Sequence, residues 1–258
     1  MDVFILIVVA FGASWLTFFS GFGLGTLLTP VFYFIFQDVV LAITGTAIVH
    51  FLNNVFKFTL MQKSIDWKIA IPFGLAAIPA AFLGSQLIFY MEDKVVFVYE
   101  MAGGIFEVRL FNLIFSLILL VFALIELIPK WSLIFSRQSL WVGGFISGFF
   151  GGLSGHQGAL RTAFLIRYKL DKEVFIATGI LVALVVDVVR TTVYFTEYDL
   201  AILGDQWHYL LIALPAALIG AITGKLLLKK MKMKFLTNFI SVAMIVFAVA
   251  LSAGWLNG

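Results

Sequence analysis

The stretch Gly148-Phe149-Phe150-Gly151-Gly152-Leu153-Ser154-Gly155-His156-Gln157-Gly158-Ala159-Leu160-Arg161-Thr162 decides how this chain folds. It lies inside an apolar run from Leu140 to Ile166, long enough to cross the ~30 Å hydrocarbon core of a bilayer. Five glycines in these fifteen residues rule out a firm continuous helix. Each costs about 0.5–1 kcal/mol relative to alanine in a helix interior. A histidine, a glutamine and an arginine occupy the weak point. Non-helical backbone and ionisable side chains at membrane depth are tolerated where they line a cavity or pack within protein. A paler copy, Gly21-Phe22-Gly23-Leu24-Gly25-Thr26 followed by Pro30, stands near the N-terminus. The pair points to a transport site between two related halves.

Composition agrees. Hydrophobic residues are 62% of the 258, charged residues 12%, and the mean hydropathy is +1.10. A soluble domain carries about 25% charged residues. The chain therefore reads as an all-α, polytopic membrane protein with no separate soluble domain. The formal charge of +3 is no nucleic-acid signal, because the basic residues sit mostly in short loops, where positive charge sets orientation. With no cysteine, disulfides, thiolate catalysis and cysteine metal sites are excluded. The histidines show no metal-ligand spacing, and no cofactor motif or catalytic cluster marks an enzyme. The first apolar run lacks a positive n-region and reads as a retained span.

About eight apolar segments of membrane-spanning length can be drawn. The first, Val3 to Phe36, is interrupted at Gly21–Pro30; Val39–Leu60, Ile69–Met91 and Leu110–Ile128 follow. Glu92–Arg109 is too charged to span and is expected at the interface. The second half repeats the scheme in Leu140–Ile166, Val174–Phe195, Trp207–Leu228 and Phe235–Trp255. The joint at Pro129-Lys130 divides the chain into repeats 1–129 and 130–258, each opening on a broken helix. Thr44-Gly45 and Thr178-Gly179 match at an offset of 134 residues, which also sets Asn53 on Asp187. Ile78-Pro79-Ala80-Ala81-Phe82-Leu83-Gly84 parallels Leu214-Pro215-Ala216-Ala217-Leu218-Ile219-Gly220. Repeats with broken helices are a common build for secondary transporters. With eight full spans, Lys and Arg divide nine to four, placing both termini outside the cell membrane. A re-entrant broken segment would invert the halves and change that count.

Two polar stripes cross the apolar background. His50, Asn53, Asn54 and Lys57 share one helix face, and Asp187, Arg190, Thr191 and Tyr194 repeat the spacing. Facing each other, these stripes would serve as gate or coupling groups, with Asn53, Asn54, Lys57, Asp187, Arg190 and Thr191 the named candidates. Interhelical packing, or neutralisation of Asp187 by Arg190, is the alternative. At the break, Arg161 offers a fixed fork of donors for an oxyanion, and His156 and Gln157 stand beside it with Ser154 and Gly155. Arg161 could instead belong to the interfacial cluster Arg167–Lys172. Gly21, Gly23 and Gly25 would add backbone groups and close approach.

These motifs, in this order and repeated, resemble the TauE/SafE family of sulfite and organosulfonate exporters over nearly the whole chain. Ser20-Gly21-Phe22-Gly23-Leu24-Gly25 through Pro30 is similar to the family's glycine-rich opening. In the second motif, His156-Gln157 replaces part of a glycine run and Arg161-Thr162 stands where a proline is usual. Those departures are where a different anion would be specified. The resemblance implies transport of sulfite, a sulfonate or a related small oxyanion, with a proton as possible coupling ion and lipid as the other partner. A passive anion channel and a non-transporting membrane subunit are the alternatives.

Overall fold

The computed structural model describes residues 2–20, 24–91, 94–101, 104–128, 139–155, 157–197, 204, 206–227 and 234–255. Among them the chain forms helices α1 (Asp2–Ser20), α2 (Leu24–Phe36), α3 (Val39–Met61), α4 (Trp67–Met91) and α5 (Leu110–Leu127). Then follow α6 (Leu140–Ser154), α7 (Gly158–Leu165), α8 (Lys172–Glu197), α9 (Trp207–Leu227) and α10 (Lys234–Ser252). The segments Val39–Ser64, Trp67–Ile88, Lys172–Glu197 and Trp207–Leu227 are long and apolar enough to cross a membrane, and shorter apolar helices accompany them.

One departure from the all-α expectation is an antiparallel hairpin, β1 (Val95–Met101) with β2 (Gly104–Arg109), inside the Glu92–Arg109 segment. Its Val-Val-Phe-Val-Tyr run is β-branched and aromatic, which suits a pleated strand better than a helix. The Tyr99 hydroxyl donates to the Ala253 carbonyl at 2.6 Å, pinning the hairpin against the end of α10.

Glycine decides how closely the helices approach. A Cβ on Gly144, Gly148 or Gly152 of α6 would lie 2.1, 2.6 or 2.1 Å from backbone atoms of Phe73, Ala77 and Ala81 on α4. One on Gly84 of α4 would meet the Phe149 carbonyl at 2.0 Å, so the two backbones are in direct contact. The same contact recurs between α1 and α9, where a Cβ on Gly220 would meet the Phe11 carbonyl at 2.2 Å. Each broken helix thus packs on the Pro-to-Gly helix of the other half. In both pairs contacts advance in register, from Phe73 to Ala81 against Gly144 to Gly152 and from Phe11 to Phe18 against Gly220 to Gly224, so the paired helices run parallel.

The Thr-Gly helices run the other way. Ser64, just past α3, donates to Glu173 at the start of α8 (2.9 Å), and His50 meets Asp187 midway along both. α3 and α8 are therefore antiparallel. α5 and α10 are too, since the hairpin leading into α5 lies on the end of α10. Each broken segment doubles back instead of continuing through as one interrupted span. Gly155 makes the turn after α6 with φ +77°, a left-handed conformation that favours glycine, and α7 returns to lay Phe164 against Gly143. At the other break, α2 returns to set Phe36 against Gly45 and 6.2 Å from Tyr209 in the first turn of α9. The start of α2 meets the turn after α6: a Cβ on Gly25 would lie 3.3 Å from the Gly155 carbonyl oxygen. Pro30 falls within α2, not at its break.

Candidate functional site

At the crossing of α3 and α8 lies a cluster of charged side chains shielded from solvent. Asp187 and Lys57 are 0% exposed, Arg190 1% and Arg161 5%. The Asp187 carboxylate is the hub. Its Oδ1 accepts from Arg190 Nε at 2.9 Å, with Arg190 NH2 also 2.9 Å away. Its Oδ2 is 2.7 Å from His50 Nδ1 and accepts from Asn54 Nδ2 at 2.7 Å. The spacing His50–Asn54 puts both groups on one face of α3, and Asp187–Arg190 does the same on α8. The carboxylate therefore joins the two helices through partners from each.

Lys57, two turns beyond His50, donates to the Ser14 carbonyl near the end of α1 at 3.2 Å, and its ammonium lies 5.0 Å from the Phe18 ring centroid. Tyr194 makes the matching contact on the other half, donating to the Gly152 carbonyl near the end of α6 at 2.7 Å; Ser85 reaches the same oxygen at 3.3 Å. Asn53 accepts from Ser14 Oγ at 3.0 Å, and its buried Nδ2 has no hydrogen-bond partner among the described residues. Arg190 packs against the turn itself, since a Cβ on Gly155 would fall 2.2 Å from Arg190 NH1.

Arg161, on α7, is buried within the protein. It lies against Gly179 of α8 and feels the charges of Lys57 and Asp187. It lines a cavity of about 20 Å³ with His50, Asn54, Thr17, Thr162 and Gly179. That is room for one water molecule by this measure, so the arrangement is closed around the cluster.

The structure gathers Asn53, Asn54, Lys57, Arg161, Asp187 and Arg190 around the two turns, with Gly25 and Gly155 between them. Gln157 is also buried, but it is turned toward α8 and packed against Gly151, its Nε2 3.5 Å from the Ala183 carbonyl. Thr191 donates to the carbonyl of Asp187 in its own helix, and Ser154 donates to that of Phe150. His156, Gly21 and Gly23 lie outside the described residues. His50 belongs to the centre, although sequence reasoning marked it only as a member of the α3 stripe. Its signal was a histidine one turn before an asparagine on an otherwise apolar helix.

Among the described residues, the three buried cations Lys57, Arg161 and Arg190 gather around one buried carboxylate, Asp187.

The family model described as sulfite exporter TauE/SafE matches residues 6–251. No curated protein and no solved structure matches the chain. A match from the first helix to the last, over a multi-pass helical body, means that this chain belongs to the TauE/SafE sulfite exporter family of membrane transport proteins.

Proposed function

We propose that the chain is a secondary transporter that carries a small sulfur oxyanion, sulfite or a sulfonate, outward across the cell membrane. The observation that carries this reading is the gathering of Lys57, Arg161 and Arg190 in the protein interior around Asp187, in a chain of this transporter family. Arg161, with Asn54 and Thr162 beside it, would hold the oxyanion where the small cavity widens as the halves rock apart, through donors suited to a pyramidal or tetrahedral oxyanion. His156 and the Gly21–Gly23 backbone would complete the site from the two turns.

The repeats 1–129 and 130–258 are related by a two-fold axis in the membrane plane. The antiparallel pairing of the equivalent helices α3 and α8, and of α5 and α10, supports this. In that arrangement six helices cross (α3, α4, α5, α8, α9 and α10), and the pairs α1–α2 and α6–α7 enter and leave on one side each. This replaces the count based on eight full spans. Of the 17 Lys and Arg residues, 12 then fall on one side and only Lys94 and Arg109 on the other, with Lys57, Arg161 and Arg190 inside. Nine of the 14 acidic residues accompany Lys94 and Arg109. The basic side is cytoplasmic and both termini lie outside, an orientation far better supported by 12 to 2 than by nine to four. Alternating access would come from rocking one half against the other about the meeting turns.

The test is purified protein in liposomes loaded with labelled sulfite, taurine or methanesulfonate. Saturable flux with trans-acceleration by unlabelled anion is expected from a carrier. Flux without trans-acceleration would mark a channel, and no flux of any of them would overturn the proposal.

A further inference from the structure

We propose that His50 carries a proton that binds together with the anion, through its Nε2 atom. This rests on the oxyanion reading of the same cavity. The tautomer follows from geometry. His50 Nδ1 is 2.7 Å from Asp187 Oδ2, a carboxylate oxygen that already accepts from Asn54 and belongs to a group paired with Arg190. Such a carboxylate is an acceptor only, so Nδ1 must hold a hydrogen. The proton-free nitrogen of neutral His50 is then Nε2. It has no hydrogen-bond partner among the described residues, and His50 lines the cavity with Arg161, Thr17 and Thr162.

A bare Nε2 presents a lone pair, which repels an oxyanion. A protonated Nε2 presents an N–H, which donates to one. Binding the anion and binding the proton therefore favour each other, and by linkage each raises the affinity for the other by the same factor. The charges around His50 set the sense of this coupling. Asp187 and Arg190 face it from α8, Arg161 from α7 and Lys57 from its own helix, while α1 contributes the Thr17 hydroxyl. An oxyanion beside Nε2 adds a negative charge that favours the imidazolium over the neutral ring. A dianion leaving with one proton still carries one negative charge, so the inside-negative membrane potential drives it outward.

The experiment is titration calorimetry of the full-length protein with methanesulfonate, which has no proton of its own to exchange near neutral pH, in buffers of differing ionisation enthalpy, which counts protons taken up per anion. His50→Gln keeps a donor for Asp187 but cannot titrate, so the proton taken up with the anion, at most about one, should be lost in the variant. Equal counts would overturn the proposal. A second measurement needs no variant at that position: in protein labelled with 15N-histidine, sulfite at fixed pH should convert one histidine Nε2 signal from proton-free to protonated. If sulfite binds and no histidine signal changes, His50 is not the carrier. If neither sulfite nor methanesulfonate binds at all, the oxyanion reading itself fails, which is a separate result.

Discussion

Alanine at Gly84 should separate the halves, and the structure gives the size of the effect. The new Cβ would sit 2.0 Å from the Phe149 carbonyl oxygen and 3.0 Å from Leu153 N, against an ordinary contact of 3.4–4 Å. Both obstacles are backbone, so no side chain can turn aside. α6 would have to retreat by roughly 1.4 Å or more, breaking the contacts of Gly144, Gly148 and Gly152 with α4 as well. Overpacking of this kind costs about 1–3 kcal/mol, and the upper end is expected because the whole helix pair must shift. Gly74→Ala on the same helix is the control. Its Cβ would meet only Val185 Cγ2, at 4.0 Å, so the roughly 1 kcal/mol that alanine gains over glycine in a helix should appear. Gly220→Ala should behave like Gly84→Ala, because its Cβ would lie 2.2 Å from the Phe11 carbonyl. Thermal unfolding in mild detergent and in lipid nanodiscs should rank Gly74→Ala at or above the wild-type protein and the other two well below. If all three variants melt together, the broken helices do not rest on the Pro-to-Gly helices of the opposite halves.

Asp187→Asn should destabilise the protein by about 3–5 kcal/mol, because it leaves Arg190 buried without its counter-charge. Adding Arg190→Met should recover much of that loss, and a double variant as unstable as the single one would contradict the pairing. Arg161→Ala should abolish the thermal stabilisation conferred by sulfite or methanesulfonate, while Arg161→Lys, lacking the planar fork, should retain part of it; unchanged stabilisation in Arg161→Ala removes this residue from the site. For orientation, single cysteines replacing Ser64 and Glu100 should be labelled by impermeant maleimides from opposite sides of the membrane, Glu100→Cys from outside. Labelling of both from one side would dispose of the inverted arrangement.

The second break was legible because glycine weakens a helix locally, yet Gly155 makes the turn while Gly148, Gly151 and Gly152 stay helical and let neighbours pack closely. The i, i+3, i+4, i+7 stripes were legible locally too, since a single helix fixes which side chains share a face. What the sequence concealed was pairing. An offset of 134 residues equates Asn53 with Asp187, yet the partners of Asp187 across the helices are His50 and Asn54. Equivalence under a two-fold relates positions that need not touch. Thr191 read as a gate residue by spacing alone, but its hydroxyl bonds back to its own helix, as threonine in a helix commonly does. In the 95–109 segment, Glu100 and Glu107 spoke against a membrane span, and the β-branched run beside Gly103-Gly104 was the overlooked sign of a hairpin.

The three buried cations do not stand in equivalent places, and the difference sorts them by role. A helix carries about half a negative charge at its C-terminal end and half a positive one at its N-terminal end. Lys57 donates to a carbonyl of the last turns of α1, and Arg190 lies on the turn that caps α6 while also pairing with Asp187. Both are set where broken helices present partial negative charge, so the fold itself answers much of what they carry. Arg161 stands in the opening turns of α7, after the break, where the helix adds positive potential to its own charge. The second interruption, which ends α6 beside Arg190, thus also opens α7 with a positive end near Arg161. On the proposed function, an oxyanion would meet its largest attraction there, beside His50, while Lys57 stays on α1 and Arg190 on the turn after α6.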